Sequence, residues 1–212
     1  MEDIKEYWNQ EFFKYEKKEL EKYGFQEDTV EFLCTVGLMK GERFNDRSTL
    51  RFLAEFGEET ICNEKYIRIA SPTLGSEGLY LKAGEDHVYY IDLPDEHNEL
   101  YKKFCNTKIH DYVKFETMKF MIASTYPNVD DDELEGYQCA REVIEAFKKI
   151  DPAAVYSYSY WANRMLSYAI DYFYDEDEKF EAAIKSGKYR SSEEAYFDVL
   201  FHGMQVLETN PS

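Results

Sequence analysis

The sequence predicts an α+β protein: a central, mainly antiparallel sheet flanked by helices, with additional helices at the C-terminus. Three observations carry this. Apolar residues recur at spacings of three and four near both ends of the chain, the mark of amphipathic helices. Between them, "KYIRIA" (65–70), "GLYLKA" (78–83) and "HVYYIDL" (87–93) are short, β-rich runs. The breaks between those runs, around Pro72, Gly75, Gly78 and "AGED", are too short for the crossover that parallel strands require.

At the N-terminus, Ile4, Trp8, Phe12 and Tyr15 follow one another at four, four and three residues, which predicts a helix over 2–22 ended by Gly24. "EDTVEFLCTVG" (27–37) opens acidic and closes on Gly37, a short helix with matched start and stop signals. "STLRFLAEFG" (48–57) leans towards helix through Leu50, Leu53, Ala54 and Gly57. After the strands, "IHDYVKFETMKFMIAS", "DDDELEGYQCAREVIEAFKK" and "SYWANRMLSYAIDYF" each carry a helical stripe, the second through Tyr137, Ala140, Ile144 and Phe147 and the third through Trp161, Met165, Tyr168 and Tyr172. A last helix, "SSEEAYFDVLFHGMQVLE", starts with a serine cap and early glutamates. "DEDEKFEAAIKSGKYR" (175–190) is the one stretch that reads as a linker, and no internal repeat is visible.

Composition narrows the function. The chain has 43 Asp and Glu against 25 Lys and Arg, a net charge of -18 and a pI of about 4.6. Such a field repels nucleic-acid phosphates and anionic lipid and attracts basic proteins. Nineteen tyrosines and 15 phenylalanines supply packing area with polar tips suited to partner contact. No apolar run approaches the ~20 residues of a membrane helix. The opening "MEDIKEYWNQEFF" lacks a signal peptide's basic-then-apolar order, so a cytoplasmic location is expected. Cys34, Cys62, Cys105 and Cys139 are widely spaced with no CxxC pair, as in a reduced protein with mostly buried thiols.

The motifs of catalysis are missing. His87, His97 and His110 have neither HExxH spacing nor a cysteine pair beside them, so no metal is expected. No GxSxG elbow, P-loop or GxGxxG fingerprint occurs, and Cys34 and Cys105 lack an activating context, so neither a catalytic residue nor a cofactor is assigned. Asp131, Glu133, Glu135, Gly136 and Glu142 fall at positions one, three, five, six and twelve of an EF-hand-like loop. The competing reading is a helix start, with Asp130 as cap, Glu133 three residues on and a helical stripe already running from Tyr137. That reading is preferred.

Two acidic runs remain, "DDDELE" (130–135) and "DEDE" (175–178). Charge runs of this kind are usually solvated helix ends. The functional alternative is a docking surface for a basic protein, made by Asp130, Asp131, Asp132, Glu133, Glu135 and Tyr137 with Asp175, Glu176, Asp177 and Glu178. Tyr156, Tyr158 and Tyr160 are further candidate anchors.

Several phrases in order also resemble the SUKH superfamily. "VEFLCTVGLMKGERF" is similar to its opening, a short helix ending at a Gly-Leu step, although Met39 stands where the family usually has proline. "YIRIA", "GLYLKA" and "HVYYIDL" resemble its strand series, and "FCNTKIHDYVKF" its closing strand, Asn-Thr step and helix. "IDPAAVYSYSYWANRML" is similar to the tail of the SUKH-4 immunity group. The resemblance covers about residues 25 to 170. It implies three parts: an N-terminal helix (1–24), a SUKH-like domain (25–175) and a helical extension (176–212) that the pattern does not account for. It further implies a non-catalytic bacterial immunity protein that binds a cognate polymorphic toxin, often a nuclease or deaminase with a basic groove, and blocks its active site. The alternative is a cytoplasmic scaffold or regulatory domain of the same fold; a third reading, a metal-dependent enzyme hidden in the acidic runs, would require divalent-metal binding through Asp131 and Glu142. On the immunity reading the unit at 88–115 closes the sheet, with Asn106 capping the helix, and is no catalytic edge.

Overall fold

The computed structural model describes residues 4, 7–8, 11–40, 51–72, 75–94 and 99–208. Residues 2–3, 5–6 and 9–10 of the expected first helix, 48–50 of "STLRFLAEFG", and His97 lie outside the described residues. The chain divides into two compact units, Met1–Thr117 and Met118–Ser212. The class is the expected one, α+β with helices at the C-terminus.

The first unit is built on a five-stranded antiparallel meander whose spatial order is its chain order: β3 (Arg51–Ile61), β4 (Glu64–Ser71), β5 (Glu77–Lys82), β6 (Val88–Asp92) and β7 (Tyr101–Asn106). A separate pair, β1 (Phe12–Phe13) and β2 (Leu38–Met39), sets Phe12 opposite Met39. Helices α1 (Lys17–Glu21) and α2 (Glu27–Thr35) lie between them in sequence, and α3 (Ile109–Ala123) follows the sheet.

The expected helix over 2–22 is interrupted. Ile4 and Trp8 are helical and buried, and the Trp8 indole donates to Thr117 Oγ1 at 2.9 Å. Phe12 and Phe13 instead pair with a strand 27 and 25 residues onward. Gly37 makes this possible: its φ is +82°, and a Cβ there would fall 1.8 Å from the Phe13 carbonyl oxygen. Local periodicity carries no information about a partner that far along the chain.

"STLRFLAEFG" is likewise strand where it is described. Cys62 and Asn63 both take positive φ (51° and 65°), the type I′ geometry that turns β3 tightly back into β4. The long-range ladder overrides a weak local preference for helix. Asn106 is the last residue of β7, opposite Val88 and fully buried, while Lys108 supplies the first carbonyl of α3, so the expected cap position is displaced by two residues.

One sheet face carries Ile61, Tyr66, Tyr80 and Ile91, with Tyr89, Leu93 and Leu100 packed against them. At its border the Tyr66 hydroxyl donates to Glu64 (2.8 Å) and accepts from Lys102 (2.9 Å), while Lys82 pairs with both Glu64 and Glu85 at 2.8 Å. The Lys82 bond, aided by Tyr66, holds the Glu64 carboxyl down to about 2. Asp86, 1 % exposed in the β5–β6 turn, accepts the Gln26 N–H at 2.7 Å and so tethers the start of α2. Burial pushes its carboxyl up, against the pull of that bond.

In the second unit, α4 (Glu133–Ile150) and α5 (Tyr160–Asp175) form an antiparallel hairpin joined through a 3₁₀ turn (Pro152–Ala154). They are followed by α6 (Asp177–Lys185), α7 (Ser192–His202) and α8 (Gln205–Glu208). The expected linker is therefore α6, because Phe180 is fully buried in an aromatic cluster with Phe173 (5.2 Å) and Tyr196 (4.8 Å). Ser191 caps α7 as expected; Gly203 (φ +91°) then stops the helix that the sequence carries on to Glu208. Among the cysteines Cys105 and Cys139 are buried, Cys34 is half-buried and Cys62 exposed, and all four are free thiols.

Two carboxylates give opposite pH signatures. Glu64 contributes stability that is present above pH 4.5 and lost as the pH falls towards about 2. Asp86 contributes stability that is full below its ordinary value of 3.8 and lost as the pH rises through its raised folded value. Urea unfolding across this range should show the acid-side loss flattened in Glu64→Gln and the loss above pH 3.8 flattened in Asp86→Asn. Identical profiles for wild type and variants would contradict both assignments.

Candidate functional site

The two acidic runs meet at one end of the α4–α5 hairpin. The N-terminus of α4 lies against the last turns of α5: the Tyr137 ring stacks on Tyr172 at 4.7 Å, and Phe173 meets Tyr137 edge-on at 5.7 Å. Gly136 has no room for a side chain, since a Cβ would lie 2.4 Å from the Tyr168 carbonyl oxygen. Residues 130–135 directly precede this contact and residues 175–178 directly follow it. The result is an acidic pole that holds nine of the 18 carboxylate side chains in Met118–Ser212.

Each predicted residue has a distinct place there. Asp132, not Asp130, caps α4, accepting the Glu135 N–H at 2.9 Å. Glu135 is turned back on the preceding turn, where its two oxygens accept from the Asn128 N–H (2.9 Å) and side-chain amide (3.2 Å). Asp130, Asp131 and Glu133 are exposed, and among the described residues no cation lies within ion-pair distance of them. Tyr137 is only 6 % exposed, so its main part is to set the spacing of the two helices. Glu176 ends α5, opens α6 and pairs with Lys179, raising the Lys179 amine; Asp175, Asp177 and Glu178 are exposed. Burial raises the Tyr172 hydroxyl, and the Glu176 charge adds to that.

The EF-hand alternative does not fit this arrangement. Residues 133 onward are helical, and Glu142 accepts a hydrogen bond from the Tyr126 hydroxyl at 2.9 Å. Among the described residues, no group of three or more His, Cys, Asp or Glu side chains is placed to hold a metal. No helix among them is long and apolar enough to cross a membrane.

Most of the pole's charge follows from helix physics. Carboxylates in the first turns of α4 and α6 oppose the positive end of the macrodipole. Asp171 does not: it sits near the end of α5, at its negative end, with no basic residue in the last turn, whereas Asp175 lies at the junction where α6 begins. The placement of Asp171 costs a few tenths of a kcal/mol.

Sequence reading missed two exposed neighbours of the pole, Leu134 (47 %) and Tyr174 (61 %): Tyr174 falls off the stripe of α5, and Leu134, three residues before Tyr137, continues the stripe of α4 past the end of its buried face. Tyr156 and Tyr158, 49 % and 40 % exposed, belong to the α4–α5 connection at the other end of the hairpin, and Tyr160 is buried. Proximity in sequence does not bring them to the acidic runs.

The SUKH-4 immunity protein family matches residues 5–167, most of the described chain. The chain belongs to that family. Membership gives it an immunity role and implies a toxin as its partner. No curated protein and no solved structure matches the chain. The family match stops inside α5, so Asp130 to Tyr137 lie within it while Asp171, Asp175 and the acidic start of α6 lie beyond it. The pole of this SUKH-4 member is thus assembled from a family-matched half and an unmatched half.

Two substitutions separate folding from charge at the pole. Asp132→Ala should lower unfolding stability by about 1 kcal/mol through loss of the cap, whereas Asp132→Asn should stay within a few tenths. Gly136→Ala should lose about 1–3 kcal/mol in spite of alanine's better helix propensity, because the added methyl forces α4 off the Tyr168 carbonyl. Chemical denaturation reads both, and an unchanged Gly136→Ala would mean that the helices are not held this close.

Proposed function

We propose that this immunity protein acts without catalysis, by laying its acidic pole into the basic substrate groove of its toxin and so covering the active site. The substrate class that suits such a groove is phosphate-bearing, which makes a nuclease or a nucleic-acid deaminase the favoured toxin. The -18 net charge supports fast, steered encounter with a cationic surface. Asp171 carries the reading. Folding alone disfavours a carboxylate at the negative end of α5, and a cationic partner turns that local cost into binding energy. Leu134 and Tyr174, exposed beside the pole, offer apolar contact of the kind that anchors interfaces.

The test uses the protein encoded by the adjacent gene. Charge reversal at Asp130, Asp131, Asp171 and Asp175 leaves the Asp132 cap, the first-turn carboxylates of α4 and α6 and the Glu176 pair in place. It should slow association at least tenfold at low salt and remove most of the salt dependence, with the melting temperature little changed. Association kinetics that match wild type at every ionic strength would overturn the pole as the docking surface.

A further inference from the structure

The two edges of the main sheet are protected very differently. β7, at one edge, is a six-residue strand that carries Lys102 and Lys103, and charged side chains, lysine above all, are a common defence against strand pairing. β3, at the other edge, runs for 11 residues with no proline or lysine, and its one basic residue is Arg51 at the start. Its first part is already covered: the register shifts between Phe52 and Gly57, and the Leu53 and Phe56 carbonyls accept from the Tyr15 and Tyr23 hydroxyls at 2.7 Å. Beyond that point the ladder to β4 is regular from Gly57 to Ile61, and among the described residues no strand lies on the outer side.

The hairpin geometry identifies the open backbone groups. A two-residue turn at Cys62 and Asn63 makes Ile61 and Glu64 the first hydrogen-bonded pair, and bonded pairs then alternate. Ile61, Glu59 and Gly57 therefore direct their N–H and C=O groups towards β4. Glu58 and Thr60 direct theirs outwards, and both residues are exposed. Gly57 leaves the flank clear, since a Cβ there would have no neighbour within 4 Å.

We propose that the outer edge of β3, from Gly57 to Ile61, is a strand-addition site for a basic, extended segment of a protein partner. The main-chain groups of Glu58 and Thr60 supply the pairing, as in other strand-addition modes. Charge selects the occupant. Glu55 is exposed without a cation in reach among the described residues, Glu58 shares Lys65 at 2.8 Å, and Glu59 accepts from the Tyr80 hydroxyl at 3.1 Å and meets Arg68 only at 3.5 Å. A second copy of this chain adding antiparallel to the same edge would bring the Glu55, Glu58 and Glu59 carboxylates of both copies together, which opposes self-pairing. A strand with alternating lysine or arginine removes that repulsion.

The inference rests on the sheet alone and not on the acidic pole. Its probe is a capped seven-residue peptide alternating lysine and valine, added to the isotope-labelled full chain. Binding should slow amide exchange at Glu58 and Thr60 at least tenfold and leave Gly57 and Glu59 nearly unchanged. A glutamate-for-lysine peptide should give no protection. Thr60→Pro removes an outward N–H at no cost to the β4 ladder and should abolish the protection. The pair Glu55→Lys with Glu58→Lys should reverse the peptide preference, a result that stands even if the proline variant unfolds. Shifts confined to 130–135 and 175–178, equal binding of the acidic peptide, or protection that grows with protein concentration alone would each overturn the proposal. Loss of protection at Glu58 and Thr60 leaves toxin association through the pole untouched, since that is read separately by charge reversal there.

Discussion

The close approach of α4 and α5 is the constraint on which the acidic pole depends. Gly136 lets the backbone of one helix meet the Tyr168 carbonyl of the other, and the Tyr137–Tyr172 stack locks the same turn. Without a glycine there, the two helices would separate by roughly the width of a methyl group. The runs at 130–135 and 175–178, about 40 residues apart in sequence, would lose their common end. A packing contact between uncharged groups thus decides where the charge is concentrated.

That concentration is tolerable because helix ends absorb part of it. Asp132 satisfies a free N–H at the start of α4, Glu135 satisfies the turn before it, and the acidic start of α6 faces a positive dipole end. Asp171, near the end of α5, receives no such compensation. Comparing the two groups separates charge that folding uses from charge that folding merely tolerates, a distinction net composition cannot make. The same comparison distinguishes β7, guarded by lysines, from the acidic edge of β3.

What was legible in the sequence was local. The helix at 27–35, the strands β4 to β6, the helices α3 to α5 and the Ser191 cap all follow from periodicity and capping over a dozen residues or fewer. The failures share one cause. β1 needs β2, β3 needs β4, and α6 needs Phe173 and Tyr196 around Phe180, so in each the deciding partner is remote or off the local pattern. The cap of α4 was misplaced by two residues because any of three consecutive aspartates satisfies the sequence rule, and only the backbone geometry chooses Asp132. In the candidate site the charged members were visible as runs, while Leu134 and Tyr174 were not: Tyr174 lies off the stripe, and Leu134 sits in register with buried residues, so spacing alone does not mark it as exposed.

The sequence by itself determined the α+β class, the net acidity, and the ordered phrases that place the chain among SUKH-4 immunity proteins, because these depend on composition and short-range spacing. Tertiary structure alone decided that the two acidic runs share one pole, that Tyr137 packs inward, and that among the described residues no strand pairs with the outer side of β3. Each of these is set by contacts between residues distant in the chain, whose pairing is fixed by burial and backbone hydrogen bonding once the whole molecule folds.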